Sequence, residues 1–184
     1  MENLILLTTS RRPTRKIRTF LHDLTSVIPR TFRINRGKSS LEDLAEEAAS
    51  RGLKKVIVID RWKGEPGRIR LFKTGATKLI EVIPRIYIRG IKLQREFGVK
   101  KRPKVRLLHI RKPKVGGAEA KKFVASLSNF IEVPVVDGEQ DQRCDAELRL
   151  SLDEEKHFVI TFFLSPQGVE IGPRIRISHL IWSV

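Results

Sequence analysis

The spacing of apolar residues changes character several times along the first ninety positions. A short run at Leu4–Thr8 ends in small hydroxyl residues and reads as a strand. From Pro13 to Val27 the period becomes helical, with Ile17, Phe20, Leu21 and Leu24 on one face and Ile28 just beyond. Pro13 suits a first helical position. A short strand is predicted near 31–34 and a second helix over about 40–51, with the stripe Leu41, Leu44, Ala45 and Ala48. Ser39 with Glu42, or Ser40 with Asp43, can form a capping box there, and Gly52 ends the helix. Alternating segments then predict strands at 55–60, 68–73, 78–82 and 85–89, separated by glycine-containing turns.

The pattern recurs. Residues 105–136 again read as strand, basic loop, helix and strand, with Ala120, Phe123, Val124, Leu127 and Ile131 as the helical stripe. Phe20 aligns with Phe123 and Phe32 with Val135. KVIVIDRWKGEPGRIRLF at 55–72 lies against AELRLSLDEEKHFVITFF at 146–163 without a gap, and IPRIYI at 83–88 matches GPRIRI at 172–177. The offset falls from 103 residues before the second helix to 91 after it, so the copy lacks about one helix. The expected fold class is therefore α/β: two duplicated halves, 1–90 and 105–184, each a mixed sheet with helices on one face. The halves are expected to pack with pseudo-twofold symmetry around a groove, as a single domain over 1–184. A connecting helix and basic linker at 91–104 would join them.

Charge adds direction to this picture. The chain of 184 residues carries a formal net charge of +16. Residues 1–115 hold 30 basic and 10 acidic side chains, a net of +20, whereas 116–184 hold 7 and 11, a net of −4. Such asymmetry makes an oriented field and points to a polyanionic partner. The longest apolar run, FVITFFL at 158–164, has the length of a strand rather than of a membrane span. MENLILLTTS reads as a first strand and not as a signal peptide. The single cysteine, Cys144, excludes an intramolecular disulfide and a cysteine-based zinc site. An intracellular, cytoplasmic protein is expected.

The first helix is unlike the other two. Its approach and opening turn carry Arg11, Arg12, Arg15 and Lys16 without an acid, followed by Arg18. The helix macrodipole disfavours cations there by about 0.3–1 kcal/mol each. By contrast, the second helix opens SSLEDLAEE and the third GGAEAKK, with acids early. Arg15, Arg18 and His22 fall opposite the apolar stripe and should be exposed. An anion is the missing partner, since helix N-terminal amides and forked guanidinium groups both bind phosphate. Arg33, Arg36 and Lys38 surround a glycine turn before the second helix. Lys100, Lys101, Arg102 and Lys104 begin a stretch, 100–114, with eight cations and no acid. Gly37-Lys38-Ser39 matches the end of a P-loop, but position 32 is Phe where that motif needs glycine, which rejects triphosphate binding.

No helix-turn-helix, zinc module or basic zipper is visible, which argues against duplex DNA. Aromatic residues make up 7% of the chain and mostly occupy core-like positions, so base stacking cannot dominate. Trp62, in DRWKGEPG, is the candidate for it. Structured RNA read through phosphates and shape fits best. His22, His109, His157 and His179 are scattered, and Asp153, Glu154 and Glu155 lie together in a turn; no catalytic residue, metal site or cofactor is assigned. The acidic second half is a candidate surface for basic ribosomal or assembly proteins, and no membrane partner is expected.

The stretch 6–48, with TTSR and Pro at 8–13, Ile28-Pro29, Arg33 and Asn35-Arg36-Gly37, resembles the opening of the Brix-domain family of ribosome-assembly proteins. The similarity continues through 56–79, where GEP and the TGAT turn fall in order. The resemblance implies two α/β halves, each similar to the anticodon-binding domain of certain aminoacyl-tRNA synthetases. It also implies a non-catalytic role in ribosomal RNA processing and subunit assembly, through RNA and protein contacts. Eukaryotic members often carry further terminal segments, so this chain resembles a minimal archaeal member. A tRNA-binding module and an RNA-processing enzyme are the alternative readings.

Overall fold

The computed structural model describes residues 4–138 and 143–183. Its first strand, β1 (Ile5–Thr9), lies between two parallel neighbours, β2 (Thr31–Arg33) and β3 (Lys55–Trp62). Strands β4 (Glu65–Thr74) and β5 (Leu79–Lys92) follow antiparallel. The second part repeats this arrangement of pairs: β6 (Leu108–Arg111) lies between β7 (Val135–Val136) and β8 (Ala146–Leu152), both parallel to it. Strands β9 (Phe158–Leu164) and β11 (Arg174–Ile181) complete the second part, with the two-residue β10 (Val169–Glu170) beside β9. Pairing of β5 with β11 joins everything into one mixed, 11-stranded sheet of order β2-β1-β3-β4-β5-β11-β9-β8-β6-β7.

Among the described residues three α-helices cover the sheet, and they do not share one face as the sequence suggested. Helix α1 (Arg15–Val27) and helix α3 (Gly117–Ile131) bury Ile17, Phe20, Phe123 and Leu127 against Ile5, Leu7, Ile57, Ile59 and Phe162, in a core that runs across both parts. Helix α2 (Leu41–Ser50) packs on the opposite face, where Leu44 and Ala48 meet Leu6, Val56, Val58 and Phe72. The physical cause lies in the strands. All five positions of β1 and the first five of β3 are buried, as strands covered on both faces must be. Among the described residues no helix lies between β7 and β8. There β8 presents Glu147 and Arg149, neither fully buried, in alternation with the buried Ala146, Leu148 and Leu150.

Some boundaries moved. Arg15, not Pro13, begins α1, and Thr14 caps it: the Thr14 hydroxyl accepts from the Ile17 N–H at 3.4 Å, and Pro13 stands just outside. Of the two capping boxes open from sequence, Ser40 with Asp43 forms, through bonds of 2.7 and 3.0 Å. The two predicted strands 78–82 and 85–89 are one strand, β5, because Pro84 falls where the β4–β5 register shifts and no ladder bond needs its missing N–H. The joining segment at 91–104 starts inside β5, contains a 3₁₀ turn at Gln94–Phe97, and then runs beside the end of α1, where the Val105 N–H donates to the Ser26 carbonyl at 3.0 Å. Across the two parts, the buried Lys55 pairs with Glu132 at 2.6 Å and Arg30 with the same carboxylate at 3.3 Å. No helix among the described residues is long and apolar enough to cross a membrane.

Candidate nucleic-acid interface

Three loops meet at the N-terminal end of α1. Residues 10–14 lead into the helix, 34–40 lead into α2, and the β3–β4 turn brings Trp62 to Glu65 alongside. Lys63 and Gly64 both have positive φ, 46° and 84°, as a two-residue hairpin turn requires. The turn is tied down at several points. The Thr14 hydroxyl donates to the Gly64 carbonyl at 2.8 Å, the Arg61 N–H donates to Ser10 Oγ at 3.0 Å, and the Arg61 guanidinium donates to the Arg12 carbonyl at 3.1 Å. Gly67 is required opposite: a Cβ there would lie 2.3 Å from the Cβ of Trp62.

The tethered hairpin places Trp62, 69% exposed, beside the cation-rich approach to α1, with the Lys63 ammonium 5.9 Å from its ring centre. Arg11, Arg12, Arg15 and Arg18 are exposed. Arg18 donates to the Pro13 carbonyl at 3.0 Å and Arg11 to the Ser39 carbonyl at 3.5 Å, so both are held by backbone rather than by carboxylates. Lys38, Lys100, Lys101 and Lys104 are exposed as well. Among the described residues none of these cations, nor Arg33 and Arg36, has a carboxylate oxygen within 4.0 Å.

Three residues of the predicted set differ from expectation. Lys16 is paired with Glu65 at 2.6 Å, because the hairpin turn folds onto the first turn of the helix. Arg102 donates through Nε at 2.7 Å to Asp23, which is 1% exposed, so it fastens the joining segment to α1. Arg36 is 8% exposed and donates to the carbonyls of Ser39 at 2.9 Å and Thr9 at 3.4 Å; it is a bracket inside the loop and not part of an open track.

The electrostatics agree with an unneutralised patch. His22, on the outer side of α1, is held below the usual imidazole range by partial burial and then by the cations of Arg33 and Arg102, with Asp23 acting weakly against them. Arg36 is also lowered from its ordinary value, by burial first and then by Arg11 and Arg70. Further cations that sequence reasoning missed lie at the same end of the molecule: Arg61 and Lys63 flank Trp62 in the hairpin. The Lys63-Gly64 turn signal was readable, but the docking of that turn on α1 was not.

The equivalent loop ahead of α3 provides a contrast within the molecule. There Arg111 pairs with Glu147, Lys112 pairs with Asp137 at 2.6 Å, and α3 carries Glu119 in its first turn. The loop ahead of α1 has comparable cations and lacks those carboxylates.

No family model matches the chain. Curated relatives do. It is 41% identical over 103 residues, 56% of this chain, to a probable Brix domain-containing ribosomal biogenesis protein of Thermococcus kodakarensis. It is 40% identical over 90 residues, 49% of this chain, to a protein of the same description from Aeropyrum pernix. These matches span about half the length of those relatives, 49% and 50%. Among solved structures, a probable ribosomal biogenesis protein from Aeropyrum pernix superposes with a TM-score of 0.78 at 30% identity, covering 97% of this chain and 99% of that one. An archaeal Imp4-like protein shares the fold at 24% identity, with a TM-score of 0.68 over 95% of this chain and 97% of that one. The opening motifs, the mixed sheet with its three helices and these relatives together place the chain in the family of Brix domain-containing ribosomal biogenesis proteins.

Proposed function

We propose that this chain is a non-catalytic ribosome-biogenesis factor that binds structured precursor ribosomal RNA through phosphate contacts and holds it during processing and subunit assembly, in the cytoplasm. The observation that carries the reading is the contrast between the two helix approaches: cations without carboxylates before α1, and cations paired to Glu147 and Asp137 before α3. A cluster of guanidinium groups at the positive end of a helix raises the energy of the free protein, and a polyphosphate backbone relieves it. Arg11, Arg12, Arg15 and Arg18 form the central grip. Arg33 and Lys38 extend it on one side, and Lys100, Lys101 and Lys104 on the other, along α1. Trp62 offers one stacking surface at its end.

Gene duplication underlies the architecture. Its support is the matching strand order of the two parts and the β5–β11 seam, where Arg85 faces Ile181 and Lys92 faces Arg174, as a local twofold axis demands. The bidentate pair Glu81–Arg85 recurs as Glu170–Arg174. The second half, with a net charge of −4 over 116–184, is where a basic assembly protein would dock.

A salt titration of RNA affinity tests the central reading. Neutralising about six phosphates gives a log–log slope of roughly −4 to −5. Replacing Arg11, Arg12 and Arg15 with Ala should flatten that slope by about two to three, without lowering the thermal midpoint. An affinity insensitive to salt, or preferential capture of tRNA over ribosomal RNA fragments in competition, would defeat it.

A further inference from the structure

Beside the opening of α1 lies a recess of about 230 Å3, lined by Arg18, Arg33, Asn35, Arg36, Thr9 and Pro13. We propose that this recess seats a phosphate monoester, the 5′-terminal phosphate of an RNA strand whose following nucleotides run over the exposed cations of α1. The proposal rests on the RNA-binding reading above and specifies what one part of that surface recognises.

Arg36 is the anchor of the argument. An arginine this deeply buried ordinarily has a carboxylate partner. Here the guanidinium meets only the Ser39 and Thr9 carbonyls, which take one N–H from Nε and one from Nη1. Guanidinium has five N–H donors, so others remain for a ligand. The two carboxylates whose fields reach it are committed elsewhere. Asp60 is held by Arg68 at 2.8 Å and Arg70 at 2.7 Å, and Asp43 caps α2 through the Ser40 N–H at 2.7 Å. Among the described residues the Arg33 guanidinium donates to the side-chain oxygen of Asn35, at 3.1 Å, and Arg18 to the Pro13 carbonyl, at 3.0 Å, neither to a carboxylate.

Three guanidinium groups therefore line one recess with no acid in it. An internal phosphodiester brings a single negative charge, which three cations exceed. A terminal phosphate brings about −1.5 to −2 and three acceptor oxygens, which suits forked donors on several sides. Burial of Arg36 also gives the recess a fixed wall, so recognition there is geometric and not only a matter of charge density. The counterpart of this loop in the second half has no such vacancy of charge, since Arg111 and Lys112 already face Glu147 and Asp137.

The test compares two RNAs of one sequence, one with a 5′-phosphate and one with a 5′-hydroxyl, binding the full chain at fixed ionic strength by fluorescence anisotropy. The phosphorylated RNA should bind about tenfold more tightly, the scale of added charge-assisted hydrogen bonds. Arg33→Gln and Arg18→Gln, at a partly exposed and an exposed position, should abolish that ratio. The Arg11, Arg12 and Arg15 triple replacement should weaken both RNAs by the same factor. Inorganic phosphate, compared with chloride at equal ionic strength, should raise the thermal midpoint of the wild type and not of Arg33→Gln. Equal affinity for the two RNAs overturns the terminal-phosphate assignment while the broader RNA reading stands. Adenosine 5′-monophosphate binding as tightly as the phosphorylated RNA overturns the RNA end as source. Absence of all RNA binding overturns the broader reading instead, and a midpoint indifferent to phosphate then removes the seat as well.

Discussion

The carboxylate of Asp23 is 1% exposed and accepts hydrogen bonds from Arg102 at 2.7 Å and from the Gln94 N–H at 2.9 Å. Removing Arg102 leaves that charge buried with one donor fewer, so Arg102→Ala should lower stability by about 2 kcal/mol and leave RNA affinity nearly unchanged. Lys101→Ala, one residue away, should do the reverse; urea unfolding and RNA titration of the two variants separate a bracket from a contact. His22 gives a pH test. Its folded value is depressed by burial and by Arg33 and Arg102, so the unfolded chain binds more protons below its ordinary value of about 6.5, and stability falls as pH drops through that value. A phosphate backbone beside it opposes the depression, and RNA binding should then take up a proton and tighten as pH falls towards the depressed folded value. His22→Asn should remove this part of the pH dependence; an unaltered profile would mean that RNA does not approach that side of α1. The sequence made the exposure of Arg15 and Arg18 readable through helical period. It could not reveal the roles of Arg36 and Arg102, because each is set by a carbonyl or carboxylate that only folding brings near.

At the scale of elements, the β3–β4 hairpin and α1 act as one unit. Thr14 is both the cap of α1 and the tether of the hairpin, through Ile17 at 3.4 Å and Gly64 at 2.8 Å. Thr14→Ala should therefore cost about 1–2 kcal/mol and also shift the fluorescence of Trp62 as the turn loosens. Thr14→Ser, which keeps the hydroxyl, should restore both. Helix α2 shows what periodicity can and cannot decide. Its stripe and its capping box were legible at Leu44, Ala48, Ser40 and Asp43. Its side of the sheet was encoded elsewhere, in the unbroken burial of ILLTT and KVIVI, where alternation would have meant one covered face. In β8 the corresponding positions carry Glu147 and Arg149, so the sheet face without a helix was already polar in the sequence.

On the scale of the whole molecule, the core under α1 and α3 is continuous. Phe20, Leu24 and Ile86 of the first part belong with Phe123, Phe162 and Ile175 of the second. The two parts should then unfold together. Trp62 lies in one and Trp182 in the other, so Trp62→Phe and Trp182→Phe variants report each part in turn. Their denaturation curves should have one midpoint; two separated transitions would mean two independent domains. Lys55 and Arg30 hold Glu132 across the same boundary and keep its carboxyl below the usual range, Lys55 first. That contribution is present above the unfolded value near 4.3–4.5 and is lost as pH falls through the lower folded one. Glu132→Gln should therefore lower stability at neutral pH and flatten the acid limb.

What the sequence determined by itself was local and periodic: most of the elements and their order, the polar face of β8, and the excess of cations ahead of one helix only. Those properties follow from side-chain pattern over neighbouring residues. Tertiary structure alone decided that the sheet is continuous through β5 and β11, and which cations keep their charge free. Lys16 and Arg102 are paired with carboxylates distant in the chain, Glu65 and Asp23, whereas Arg11, Arg15, Arg18 and Arg36 are not. Charge compensation depends on distances across the fold, and one-dimensional spacing does not carry them.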